Sequence, residues 1–184
     1  RLDDAYPVIV HALLAHQEQQ QLANIALPRL ITLLEAICRR SIYLVMIAEN
    51  PNATVELIPM LSASPWIAKE LAQYPVLLDT FLQQRYRHLP DKPELRDILR
   101  QQLLRVEPND EEELLSVLRL FKKNQVLAVA ASDVLAERPI MKVSDSLTYI
   151  AAVVLEAALE RAFAEIVKRY GYPIAQDGDP VTEA

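Results

Sequence analysis

Three histidines, His11, His16 and His88, are the residues best suited to bind a metal or to act as a base at neutral pH. A zinc site of the H-E-x-x-H kind places two histidines four residues apart on one helix face, with a glutamate between them. His11 and His16 stand five residues apart, and His88 lies far along the chain. The sequence therefore predicts no metal site.

Nucleophilic catalysis needs a base beside a reactive serine or cysteine. No serine lies in a G-x-S-x-G motif, and the single cysteine, Cys38, is followed only by Arg39 and Arg40. Cys38 stands in an apolar helical run, which is typical of a small buried thiol. A lone cysteine cannot form an intramolecular disulfide, and this fits a reducing cytoplasm. We predict no catalytic residue.

Two acidic groups have the residue types of acid-base or cation sites. Glu111, Glu112 and Glu113 come at the start of a predicted helix, where the positive end of the helix dipole stabilises negative charge. Asp177 and Asp179 form an Asp-x-Asp pair of the kind that holds Mg²⁺ in nucleotidyl transfer, but they lie in a proline-bounded tail. We interpret the glutamates as helix-start charge and the aspartates as unrelated to catalysis.

The densest basic stretch points to a partner rather than to a reaction. It contains Arg85, Arg87, His88, Lys92, Arg96, Arg100 and Arg105. Such a stretch can meet an acidic partner, and a solvated face is the alternative. The candidate partner surface is Arg85, Arg87, Arg96 and Arg100. The net charge of −6 argues against nucleic acid, whose phosphates are bound mainly by clustered lysine and arginine.

Composition indicates which elements must position these residues. Strong helix formers dominate the 184 residues, whereas glycine occurs only twice. Hairpins and phosphate-binding loops need residues that tolerate positive φ, so this scarcity favours helices over sheets. We predict an all-α fold, a multi-helix bundle of long and short helices with no sheet. With no signal peptide and no apolar run near roughly 20 residues, we also expect a soluble, cytoplasmic protein without a membrane span.

Prolines predict most helix starts in the first half of the chain. Leu27-Pro28 is expected to begin a helix that stops near Asn50, because proline suits the first helical position. Short helices are expected after Asn50-Pro51, Ser64-Pro65 and Tyr74-Pro75. The side-chain oxygens of Asn50 and Ser64 can cap the first two of these short helices.

Three longer helices follow, and each carries signals at its ends. The first should begin at Asp91-Lys92-Pro93-Glu94 and end at Pro108. Asn109 or Asp110 can cap the second, and Ser144 can cap the third, which should end at Gly171. In the seam of the middle helix, Gln125 and Ser132 are expected to bond to a neighbouring helix, because buried polar groups need partners. Trp66 is expected in the core rather than on a contact surface.

Several blocks of the sequence resemble a bacterial enzyme family. They are Leu33-Leu-Glu-Ala-Ile-Cys-Arg-Arg-Ser-Ile-Tyr-Leu44, Ala48-Glu-Asn-Pro51, Ala63-Ser-Pro-Trp-Ile-Ala68, Leu118-Arg-Leu-Phe-Lys122, Pro139-Ile-Met-Lys-Val-Ser-Asp-Ser-Leu-Thr148 and Lys168-Arg-Tyr-Gly171. In content and order they resemble the bifunctional glutamine synthetase adenylyltransferase and adenylyl-removing enzyme. The resemblance extends from about Tyr6 to Gly171.

That family has two related nucleotidyltransferase halves joined by a helical regulatory region. The resemblance implies a helical regulatory region over residues 1–138, a long helix over 139–171 that leads into the adenylylating half, and a linker tail over 172–184. It also implies that the full enzyme uses ATP and Mg²⁺ to adenylylate a tyrosine of glutamine synthetase, and that its other half removes the AMP by phosphorolysis.

The family's catalytic motif, a Gly-rich strand and turn followed by Asp-x-Asp, has no match in the chain, so the catalytic sheet is expected downstream. No catalytic, cofactor-binding or metal-binding residue is predicted here, although the resemblance implies ATP and Mg²⁺ in the parent enzyme.

Two hypotheses follow from the resemblance. The first is a non-catalytic regulatory and coupling segment in nitrogen regulation, which contacts the PII signalling protein in its unmodified or uridylylated form. The alternative is a purely structural helical scaffold for the adenylyltransferase domain. An independent enzyme is disfavoured, because no residue set meets the geometric demands of catalysis. The sequence leaves open where glutamine, an effector of the family, binds.

Overall fold

A computed structural model of the chain describes residues 2–16, 20–107, 110–136 and 138–174. Within those ranges the chain forms α-helices, one 3-10 turn and no β-strand, which confirms the all-α prediction. The helices are α1 (Leu2–Leu14), α2 (Gln20–Ile37), α3 (Ser41–Glu49), α4 (Pro51–Ala63), α5 (Pro65–Gln73), α6 (Leu77–Leu82), α7 (Lys92–Leu103), α8 (Glu111–Ala136) and α9 (Ile140–Tyr170). The 3-10 turn, Arg85–Arg87, lies between α6 and α7. In the described ranges, no helix has the length and apolar character needed to cross a membrane.

The helices belong to two compact units. The first comprises Arg1–Leu89 with Lys123–Ser144, and the second comprises Pro90–Lys122 with Asp145–Ala184. Helices α8 and α9 therefore contribute residues to both units. The division of the chain into residues 1–138, 139–171 and 172–184 stays a prediction, and most of its third segment lies outside the described residues.

In the first unit, short helices share one apolar core. Helix α1 packs against α3 and α4, and α2 packs against α4 and α5. The fully buried side chains of this core include Leu33, Ile37, Leu57, Met60, Leu61, Leu71 and Phe81. Phe81 of α6 stacks on Tyr86 of the 3-10 turn, with 5.4 Å between ring centroids. Apart from α2, these helices are too short to be stable in isolation, so tertiary burial stabilises the set.

In the second unit, α7 and parts of α8 and α9 supply the core. Its buried side chains include Leu95, Leu99, Leu118, Phe121, Ile150 and Val153. Along each helix these residues recur at intervals of three or four, as expected for an apolar face directed at neighbouring helices.

Side-chain caps are present at the starts of α5, α7 and α8. Ser64 Oγ accepts a hydrogen bond from the Trp66 backbone N–H at 3.2 Å. Asp91 and Glu94 form a reciprocal capping box at the start of α7. Asp110 accepts from the Glu113 backbone N–H at 2.8 Å, while Asn109 lies outside the described residues. The three caps fix where α5, α7 and α8 begin.

Two predicted caps are wrong. The Asn50 side chain donates to the Met46 carbonyl at 2.8 Å, so it closes α3 and does not cap α4. Ser144 lies inside α9, which starts one turn earlier at Ile140. The C-terminal signal is confirmed, because α9 ends before Gly171, whose φ of +81° is a conformation that glycine adopts readily.

The helix predicted from Leu27-Pro28 to Asn50 is two helices. Helix α2 begins at Gln20, so Pro28 is inside it, and α3 starts at Ser41 after a turn. At Arg40 the backbone leaves the helical region, with φ −119° and ψ 88°. The turn lets α3 pack against α1 while α2 packs against α4 and α5. No glycine or proline marks the turn, so packing rather than local sequence determines it.

Three side chains contradict their predicted environments. Cys38 is exposed, because α2 ends at Ile37 and the cysteine lies in the turn that follows. Trp66 is 41% exposed at the start of α5, where Ile67 points into the core instead. Ser132 is fully buried, but no described residue bonds its Oγ. A serine is close to alanine in size, and Ser132 follows the buried Ala131 and Ala128 in this seam.

Candidate functional site

The four predicted partner-surface arginines fall into two pairs. Arg85 and Arg87 belong to the 3-10 turn of the first unit, whereas Arg96 and Arg100 belong to α7 in the second. Each pair has its own surroundings and is therefore described separately.

Arg96 and Arg100 line a groove between α7 and α9 in the second unit. The groove has a volume of about 350 Å³. Its lining residues are Arg96, Leu99, Arg100, Leu103, Leu104, Val153, Glu156, Ala157 and Glu160. The apolar floor consists of the half-buried Leu103, which keeps accessible surface, above the almost completely buried Leu99 and Val153, while Leu104 is exposed at the edge. The arginines and glutamates form a charged rim above this floor.

Glu156 of α9 holds two cations of α7. Lys92 Nζ lies 2.6 Å from one of its carboxylate oxygens, and Arg96 Nη2 lies 2.7 Å from the other. Hydrogen bonds from Lys92 and then from Arg96 lower the pKa of Glu156, and the bond to Glu156 raises the pKa of Arg96. Both shifts favour the charged forms. These groups are therefore permanent ions at neutral pH and unsuited to proton transfer.

Arg100 is the rim cation that is most available to an external partner. Its guanidinium is 3.3 Å from Asp97, one turn away on the same helix, and its side chain is 72% exposed. Pairs this exposed contribute little, because water and salt screen them. A carboxylate from another molecule can therefore compete with Asp97 for Arg100 more easily than with Glu156 for Arg96.

In the first unit, both predicted arginines bond to side chains of the same unit. Arg87 Nη2 donates to Glu56 of α4 at 2.7 Å, and the Tyr86 hydroxyl donates to the other oxygen of the same carboxylate. Arg85 donates to the Gln83 side chain at 2.8 and 3.0 Å. Gln84 has a left-handed φ of +55°, which is uncommon for a residue other than glycine. The contacts to Glu56 thus attach a strained turn to α4.

One charged contact of the first unit was missed by sequence reasoning. Lys123 of α8 pairs with Glu70 of α5 at 2.5 Å, and its ammonium lies 4.3 Å from the centre of the Tyr74 ring. Glu70 is 8% exposed, so it is among the few buried charged residues of the described chain. Glu70 and Lys123 are too far apart in sequence for spacing to indicate the contact.

Two of the remaining candidate chemical groups, His16 and Cys38, form hydrogen bonds with backbone carbonyl oxygens. His16 Nε2 lies 3.2 Å from the carbonyl oxygen of Val55, and Asp177 and Asp179 are outside the described residues. Across the described ranges, no group of three or more His, Cys, Asp or Glu side chains could hold a metal ion. Cys38 donates its thiol to the carbonyl of Glu35 at 3.2 Å.

Fold and surface together define an all-helical domain whose charged side chains form ion pairs, with an apolar groove beside them. Comparison with known proteins identifies the family. The family model for glutamate-ammonia ligase adenylyltransferase matches residues 54–183. The chain therefore belongs to that family.

Three curated relatives carry one name, bifunctional glutamine synthetase adenylyltransferase/adenylyl-removing enzyme. The protein from Acinetobacter baylyi is 49% identical over 179 residues, covering 97% of this chain and 19% of the relative. The protein from Hahella chejuensis is 43% identical over 178 residues, which cover 96% of this chain and 18% of the relative. The protein from Pseudomonas syringae is 41% identical over 179 residues, which cover 97% of this chain and 18% of the relative. The chain thus spans 18 to 19% of the length of these relatives.

Proposed function

We propose that this chain is a non-catalytic regulatory and coupling segment of a glutamine synthetase adenylyltransferase/adenylyl-removing enzyme, and that it contacts the PII signalling protein. The parent enzyme would be a cytoplasmic nucleotidyltransferase that uses ATP and Mg²⁺ and controls glutamine synthetase by reversible adenylylation. Family membership over residues 54–183 supports the parent activity.

The α7–α9 groove is the observation that carries the proposed contact. An apolar floor with a fixed charged rim is the surface expected of a protein-binding site, where apolar burial provides affinity and charges provide orientation. The groove combines the accessible apolar side chains of Leu103 and Leu104 with the exposed cation of Arg100. A protein segment that places an apolar side chain on the floor and a carboxylate near Arg100 would satisfy both.

A structural scaffold is the second candidate function, and a specific contact favours it. Glu156 engages Lys92 and Arg96 inside the unit, which is what a helix-to-helix brace requires. A scaffold would use the basic residues of α7 only to hold α9. The two functions differ in what they require of Arg100. A brace between α7 and α9 does not need this residue, whereas the proposed partner contact does.

Charge reversal at Arg100 separates the two functions. In the full-length parent enzyme, Arg100→Glu should weaken the apparent affinity for PII by about tenfold, since a rim charge that faces a partner affects association directly. Basal adenylylation without PII should be unchanged. The measurement is the initial adenylylation rate of glutamine synthetase across a PII titration.

Arg105→Glu is the matched control, because Arg105 is exposed in the same basic stretch but does not line the groove. If Arg100→Glu and Arg105→Glu both leave the PII response at the wild-type level, the scaffold is the better description. Reversal at Arg96 is less informative, since it also breaks the bond to Glu156.

A further inference from the structure

Helix α9 has an exposed apolar side, opposite the side that contributes to the core of the second unit. Its members are Ala151, Leu155, Leu159, Ala162, Ile166 and Tyr170, and we call them the outer face of α9. They recur at intervals of three and four residues, so they lie along one side of the helix over about 29 Å. The buried Ile150 and Val153 lie on the other side.

The outer face is exposed although most of its side chains are large. Leu155 is 68% exposed, Leu159 and Ile166 are each 55% exposed, and Tyr170 is 76% exposed. None of its members carries a charge. Continuous apolar surface of this length is typical of a contact site, whereas single exposed leucines are ordinary.

The composition of α9 is that of a helix enclosed on every side. The 13 residues from Leu147 to Leu159 contain one charged residue, Glu156. A helix at the surface of a protein has polar residues on the side that faces water, whereas a helix that is apolar all round is a buried helix. The second unit buries only the side of α9 that includes Ile150 and Val153. The outer face therefore needs a further apolar surface to cover it.

We propose that the outer face of α9 packs, within a single molecule of the parent enzyme, against an apolar surface of the adenylylating half that is formed by residues after position 184. This inference rests on the proposed function, in which the chain is a segment of that enzyme. The chain spans 18 to 19% of the length of its relatives. Most of each relative therefore lies outside the matched segment and can supply the covering surface.

The path of the chain after α9 favours the residues that follow this helix over other parts of the parent enzyme. Gly171, with a φ of +81°, ends the helix and allows the backbone to change direction. The ring of Tyr172 then lies against Phe163 of α9, with 6.5 Å between ring centroids. Phe163 is one turn after Leu159, so the chain turns back toward the border of the outer face. Consecutive elements of a chain are usually neighbours in space, and the next element is therefore placed to cover this face.

The outer face is separate from the proposed contact with PII. The α7–α9 groove is lined by Val153, Glu156, Ala157 and Glu160 of α9, none of which belongs to the outer face. An experiment on the outer face in the absence of PII therefore does not depend on the groove. Loss of the PII contact would leave its expected result unchanged.

Thiol labelling compares the outer face in the 184-residue chain with the same face in the full-length parent enzyme. Leu159→Cys and Ile166→Cys are made singly and treated with N-ethylmaleimide, and the labelled peptide is quantified by mass spectrometry. In the 184-residue chain both thiols should react rapidly, because both positions are exposed. In the parent enzyme both should react at least about tenfold more slowly, since a covered thiol reacts only when the contact opens.

Gln101→Cys is the matched control, because Gln101 is an exposed polar residue of α7 in the same unit. It should react at the same rate in both proteins. Equal rates for Leu159→Cys in the two proteins would overturn the proposal, and so would an equal slowing at Gln101→Cys. Protection that disappears on about tenfold dilution would also overturn it, because covering by a second copy depends on concentration and an intramolecular contact does not.

Discussion

Replacing Glu70 with alanine should reduce the free energy of unfolding of the first unit by about 2–3 kcal/mol, because it leaves the Lys123 ammonium without its carboxylate in a mostly buried place. Loss of one partner from a fully buried ion pair costs more, roughly 3–5 kcal/mol. The Lys123 side chain keeps 23% of its surface exposed, so water can still solvate the unpaired ammonium and the expected loss is smaller. The ring of Tyr74, whose centre lies 4.3 Å from the ammonium, also stabilises the unpaired charge.

Urea denaturation followed by tryptophan fluorescence measures this change. Trp66 is the only tryptophan, and it belongs to the same unit as Glu70, so its emission reports on that unit. Lys69→Ala, at an exposed position on the same helix, should change stability by less than about 0.5 kcal/mol. Equal losses for Glu70→Ala and Lys69→Ala would show that the ion pair contributes nothing. The double variant Glu70→Leu with Lys123→Met should be more stable than Glu70→Ala, since no charge is left unpaired.

Replacing Phe81 with alanine should have a still larger effect, a loss of about 3–5 kcal/mol, because a fully buried aromatic side chain leaves a cavity. Phe81 is 1% exposed, and its removal also ends the stacking that holds Tyr86. Tyr86 in turn donates to Glu56, so the 3-10 turn should loosen with it. The measurement is again the urea transition of Trp66 fluorescence.

Ile42→Ala is the control for Phe81→Ala, because Ile42 is an exposed apolar residue of the same unit. It should shift stability by less than about 0.5 kcal/mol. A Phe81→Ala protein with the unfolding transition of Ile42→Ala would contradict the packing described for α6 and the 3-10 turn.

Much of the helical architecture could be predicted from residue type alone. Scarce glycine and abundant helix formers predicted the all-α fold, and the caps at Ser64, Asp91 and Asp110 are local, so their sequence signals are sufficient. Each of these caps needs only a side-chain oxygen and a backbone N–H two or three residues later. Tertiary structure has little influence on such contacts.

Several failures of prediction depend on distant parts of the chain. The turn after Ile37 exists because α3 packs against α1, and it exposes Cys38. Pro7, Pro28 and Pro59 lie inside helices, although prolines were expected to mark helix ends. Burial of an apolar face can offset the lost hydrogen bond of an internal proline. The stabilisation from such burial depends on tertiary contacts, so the positions of the prolines in the sequence do not indicate it.

The candidate partner surface was predictable only as a list of cations. The sequence identified Arg85, Arg87, Arg96 and Arg100 by charge density, and all four remain predictions of partner contact. The structure adds which acids they meet: Glu56 engages Arg87, and Glu156 engages Arg96. These partners are distant in sequence, so only the fold distinguishes a cation that braces a helix from one, such as Arg100, whose single described ion pair is an exposed contact within its own helix.

Binding of PII to the isolated chain tests the proposed regulatory role most directly. Isothermal titration calorimetry with unmodified and with uridylylated PII should detect a complex with at least one form, and Arg100→Glu should weaken that complex by about tenfold. Circular dichroism must first show that the variant is as helical as the wild-type chain. A folded chain that binds neither form of PII would contradict the regulatory contact and leave the structural scaffold as the function that fits.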